Sequence, residues 1–77
     1  MPFKYTRIIY EKPEQKYYDT TEINFILIKK LYFNKKVRNM LIAYEKTENG
    51  VNIITIHPIT EEKIINRLMN RRWVKNG

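Results

Sequence analysis

The sequence predicts an α+β domain: an antiparallel sheet of about four strands with one C-terminal helix packed on one face. Three observations carry that expectation. Runs rich in isoleucine, valine and tyrosine alternate with polar punctuation along most of the chain, as half-buried strands require. Asn49-Gly50 stands between two such runs and marks a hairpin. After His57-Pro58 the pattern becomes helical: Thr60 is an N-cap, Glu61 and Glu62 suit the positive end of the helix dipole, and Ile59 is placed to staple onto Ile64.

In chain order, Lys4 to Tyr10 (K-Y-T-R-I-I-Y) is β-branched and aromatic, which predicts a strand wetted on one face by Arg7. Glu11 to Lys16 carries Pro13 and four charges and reads as a loop. Tyr17 and Tyr18 begin a short extended piece that ends in the turn-forming Asp19-Thr20-Thr21. Ile23 to Phe33 has large side chains on both faces and is expected to be a central strand. Lys29 and Lys30 within it must point to opposite faces.

Asn34-Lys35-Lys36 is the next turn and Val37 to Lys46 the next strand. Counting outward from Asn49-Gly50 as the central turn residues pairs Lys46 with Ile53, Tyr44 with Thr55 and Ile42 with His57. One face then carries Tyr44, Thr55 and His57, and the other carries Leu41, Ala43, Ile54 and Ile56 as the core. In the helix, Ile64, Ile65, Leu68 and Met69 form the expected buried stripe. Lys63, Asn66, Arg67, Asn70 and Arg71 form the polar side. No internal repeat or linker divides the chain, so residues 1–77 read as one domain.

Seventy-seven residues are near the size at which a single core only just outweighs chain entropy. Without cysteine, neither a disulfide nor a thiolate metal site is available to brace it. Neither a signal-peptide pattern at Met1 to Tyr5 nor a membrane-length apolar run is present, so a cytoplasmic protein without a membrane partner is expected. The formal charge of +7 favours polyanions, of which RNA or another nucleic acid is the foremost partner. A long apolar strand also suits a protein partner or a homodimer.

His57 is the first catalytic candidate, because an imidazole exchanges protons near neutral pH. Thr55 and Tyr44, beside it in the counted register, offer hydroxyls to a phosphate or a 2′-OH. Arg67, Arg71 and Arg72 are candidate phosphate ligands, since a guanidinium grips two oxygens at once. Lys29 or Lys30, Arg38 and Lys46 extend the cluster. Trp73 is a candidate base-stacking platform or a cap on the core. No metal site is expected around a single histidine. Glycine-rich phosphate loops, nucleophile elbows and paired-carboxylate motifs are absent, so kinase-, hydrolase- and glycosidase-like chemistries lack support and no cofactor is expected.

Strands ending in Ile53-Ile54-Thr55-Ile56-His57-Pro58, followed by a basic helix ending in Arg71-Arg72-Trp73, resemble the small ribonuclease toxins of the barnase, colicin and RelE-like group. The likeness runs from about Ile23 to Trp73. It implies RNA cleavage without a metal ion by side chains on one sheet face, with roles for His57, Thr55, Lys29 or Lys30 and the arginines. That group carries an N-terminal helix against the sheet, where this chain has strand-like residues. Two alternatives stand beside a toxin-like endoribonuclease or RNA-binding domain. One is a non-catalytic nucleic-acid-binding module; the other is a small inhibitor or antitoxin-like protein that docks on another chain.

Overall fold

A computed structural model describes residues 3–76. The fold is α+β, as the sequence predicts, but the antiparallel sheet has five strands and a helix covers each face. The elements run α1 (Phe3–Glu11), β1 (Gln15–Asp19), β2 (Asn24–Phe33), β3 (Lys36–Thr47), β4 (Gly50–Ile59), α2 (Glu61–Met69) and β5 (Trp73–Lys75). The spatial order is β4-β3-β2-β1-β5, which puts β2 at the centre. No helix among the described residues is long and apolar enough to cross a membrane.

The first correction is α1, which replaces the strand expected over Lys4 to Tyr10. Packing overrides the β-leaning propensities of this segment. Ile9 is fully buried in one cluster with Leu27, Met40, Ile42 and Tyr44. One turn earlier, Tyr5 meets Phe33 edge-on at 5.5 Å, and Tyr10 meets Tyr44 in the same way. Arg7 and Glu11 pair at 2.9 Å on the outer side, the i,i+4 spacing that only a helix brings together. Pro13 lies in the break before β1.

The β2–β3 hairpin turns on Asn34 and Lys35, both at positive φ (53° and 71°), as a two-residue primed turn requires. The β3–β4 hairpin departs from the expected register in two steps. Its central turn residues are Glu48 and Asn49, with Thr47 opposite Gly50, and the positive φ (139°) falls on Gly50. That slip moves every partner by two and leaves the faces unchanged, so Tyr44 pairs with Ile53. A bulge then intervenes: Ala43 pairs with Thr55, and Ile54 is the extra residue. An odd shift exchanges the faces. His57 therefore lies opposite Leu41, on the face of Leu41 and Ala43, while Tyr44 is on the other face with Ile42 and Ile56.

Thr60 caps α2, its hydroxyl accepting the Lys63 N–H at 3.2 Å, and Ile59 packs on the cluster that contains Ile64. The expected buried stripe is corrected, for Ile64 alone is buried while Ile65, Leu68 and Met69 are exposed. The helix is tied to β4 at one end and β5 at the other, and in crossing the sheet it turns Ile64 and the half-buried Arg67 inward. The segment after it, for which the sequence predicts no strand, is β5, paired with β1 through Tyr18↔Val74 and Asp19↔Trp73.

Asp19 holds that junction. It is 3% exposed, and its carboxylate accepts the N–H groups of Thr21 and Glu22 at 2.9 Å, the Trp73 indole N–H at 3.1 Å and Arg72 Nε at 3.2 Å. Burial by itself raises this carboxyl. The bonds from Glu22, Arg72, Trp73 and Thr21 to its charged form outweigh burial and hold it below its ordinary value. The turn it anchors contains Ile23 at φ 57°, a left-handed conformation that is strained for a β-branched side chain, here 70% exposed.

Two stability outcomes are expected. The unfolded chain binds the Asp19 proton more readily than the folded one. The stabilisation from this carboxylate is therefore complete above the unfolded value of about 3.9 and is lost as pH falls through the lower folded value. Urea titrations should show stability dropping over that acid window, and Asp19→Asn should remove that drop and cost about 2 kcal/mol at neutral pH. An unchanged acid profile in the variant would overturn the role given to Asp19. Ile23→Asn should raise stability by about 1 kcal/mol in the same assay, and a decrease would show that the Ile23 side chain matters more than its backbone strain.

Candidate functional site

The cleft holding His57 is a hollow of about 320 Å³ on the α2 side of the sheet. Its floor is the apolar surface of Ile26, Leu41 and Ala43; Lys63 and Arg67 of α2 stand on one side, and Thr55 and His57 of β4 also line it. At the far end are Arg72, Asp19, Glu22 and Asn24. The bulge at Ile54 is what delivers His57 and Thr55 to this face, since an unbroken ladder would leave them on the α1 side.

The imidazole is exposed, and its Nδ1 lies 2.8 Å from the Pro58 carbonyl oxygen. A carbonyl only accepts, so in the neutral ring Nδ1 carries the proton and Nε2 keeps its lone pair. That is the arrangement of a base ready to take a proton.

The cations divide into used and free. Arg72 is spent on structure, with Nε 3.2 Å from Asp19 and Nη2 3.4 Å from Glu22. Two carboxylates face that one guanidinium, which makes this end of the cleft a poor place for a phosphate. Lys63 and Arg67 belong to no ion pair among the described residues. Both are therefore open to an anion beside His57.

The remaining candidates fall elsewhere. Tyr44 is corrected out of the site: it is buried on the opposite face, stacked on Phe25 at 5.2 Å. Burial, then the neighbouring Tyr10, raises its phenol above the ordinary value. Lys46 lies 4.8 Å over the Phe25 ring on that same side. Lys30 shares the face of His57, and Lys29, half-buried, is on the α1 side; neither lines the cleft. Arg71 is exposed at φ 62° just past α2 and is not part of the wall. Arg38 donates Nε to the Phe33 carbonyl at 3.0 Å, away from His57.

Trp73 is 4% exposed, stacked on Tyr17 at 5.6 Å and hydrogen-bonded to Asp19. It is a core residue and not an open stacking platform.

Two residues of the site escape sequence reasoning. Helical periodicity places Lys63 only on the solvent side of α2. Asn24 is 7% exposed, lines the cleft and has a buried Oδ1 without a hydrogen-bond partner. An asparagine at the head of the apolar run I-N-F-I-L-I is the available signal, because a buried polar side chain calls for a partner.

Comparison of the chain with protein-family models, curated proteins and solved structures finds no match. The fold and the cleft define its class: a small basic α+β protein in which a histidine and two cations outside any ion pair among the described residues line one hollow with an apolar floor.

The histidine geometry predicts an observable. In ¹⁵N NMR spectra recorded at alkaline pH, the neutral imidazole should be the Nδ1–H tautomer, and a dominant Nε2–H form would contradict the Pro58 contact.

Proposed function

We propose that the cleft binds and cleaves RNA, as a toxin-like endoribonuclease that needs no metal ion. The observation that carries this reading is the grouping of a histidine with a free Nε2 and the unpaired Lys63 and Arg67 around one hollow. Its size, about 320 Å³, is at the lower end of ligand pockets, and its apolar floor suits a nucleobase. The helix α1 against the sheet also supplies the N-terminal element that the resemblance calls for.

In the reaction, His57 Nε2 takes the proton of a ribose 2′-OH as its oxygen attacks the adjacent phosphorus. The new 2′-O–P bond replaces the P–O5′ bond, leaving a 2′,3′-cyclic phosphate. The departing 5′-oxygen takes a proton from water or from the imidazolium. Arg67 and Lys63 hold the non-bridging oxygens, where negative charge grows in the transition state. Thr55, two residues from His57 on the same face, positions the attacking hydroxyl.

With single-stranded RNA as substrate, His57→Ala should lower the cleavage rate by about 10²–10⁴ with an unchanged circular dichroism spectrum. Arg67→Ala should weaken RNA binding and flatten its salt dependence. Cleavage unaffected by His57→Ala would remove the histidine from the mechanism. A wild-type chain that binds RNA with a steep salt slope and never cleaves it would be a nucleic-acid-binding module.

The reading as a protein-docking domain draws on one observation, the apolar outer side of α2, where Ile65, Leu68 and Met69 face solvent.

A further inference from the structure

Next to the cleft lies a second hollow of about 280 Å³. The two share Pro58, Ile59 and Lys63 and are contiguous around the start of α2. The second opens because β4 ends at Ile59, opposite Asn39, so residues 36–38 of β3 have no strand on that side. Its walls include Lys36, Arg38 and Asn39.

Three features of this hollow suit a nucleotide. Lys36, Arg38 and Lys63 line it, and none of them enters an ion pair among the described residues. The Arg38 Nε bond to the Phe33 carbonyl steadies the guanidinium and leaves its terminal nitrogens to grip an anion. Asn39 is 8% exposed; its Nδ2 donates to Glu61 Oε1 at 2.9 Å, while its Oδ1 is buried with no partner. An acceptor in that state calls for a donor, and a ribose hydroxyl is one.

We propose that this hollow is a second nucleotide subsite. It takes the neighbouring phosphate on Lys36, Arg38 and Lys63 and the attached ribose hydroxyl at Asn39, so that one RNA strand spans both hollows. The inference rests on the reading of the His57 cleft as an RNA site. A backbone that turns around the start of α2 must be free of a stacked partner strand, which makes the substrate single-stranded RNA and not a duplex.

The test measures binding of adenosine monophosphate and of oligoadenylates of increasing length to the His57→Ala chain, which holds RNA without cutting it. Affinity should rise about tenfold at the length that first fills both hollows, and the matching deoxyoligomer should gain less. Lys36→Ala with Arg38→Ala should abolish the rise, leave monophosphate affinity unchanged and reduce the log–log salt slope by about 0.7 for each phosphate no longer neutralised. Lys36→Glu, at an exposed position, should likewise abolish the rise without risk to the fold. A rise that persists in these variants, or no rise before them, overturns the second subsite while the cleft reading stands. Failure of every ribonucleotide to bind overturns both.

Discussion

The Asp19 carboxylate is the group on which the rest of the molecule depends. It sits at the end of β1 and gathers the turn into β2, the Arg72 guanidinium and the Trp73 indole at one point. Thr20 adds a second tie, with both its N–H and its hydroxyl reaching the Arg72 carbonyl. A buried carboxylate is costly unless its lone pairs are met, and here the donors come both from the turn that follows it and from a segment more than fifty residues on. The network pins the C-terminal end of α2, and with it the wall of the cleft that carries Arg67.

The same network takes one arginine out of the cleft's chemistry. Arg72 stabilises the junction because Asp19 and Glu22 surround it, and that use withdraws it from ligand binding. Arg67, one turn back on α2, has no carboxylate partner and is left facing the hollow with Lys63. Net charge is therefore a poor guide to where an anion goes. The +7 of the chain is spread over both faces, and among the described residues only Arg7 and Arg72 are ion-paired, so it is the course of α2 that brings two of the many unpaired cations to the hollow that His57 lines.

The bulge at Ile54 has a comparable effect on the other wall. The slip of the β3–β4 turn would have left the faces unchanged, but one extra residue in β4 carries Thr55 and His57 from the α1 side of the sheet to the α2 side. Tyr44, on the turn side of the bulge, stays behind in the aromatic cluster with Phe25 and Tyr10. A single inserted residue thus separates two side chains that a regular hairpin would have placed together.

The sequence by itself determined the α+β class, the course of β2, β3 and β4, the Thr60 cap and the candidacy of His57. All of these follow from local periodicity, turn chemistry and residue type, which act over a few neighbouring positions. Only the tertiary structure decided that Phe3–Glu11 is a helix, that Trp73–Lys75 is a fifth strand and that α2 turns Ile64 and Arg67 inward. It also decided which cations remain free. Each of those outcomes depends on a partner distant in the chain: Leu27 and Met40 beneath Ile9, Asp19 beside Trp73, a bulge that shifts the ladder by one. Periodicity has no access to such encounters, because their energy comes from surfaces and charges that meet only once the sheet has formed.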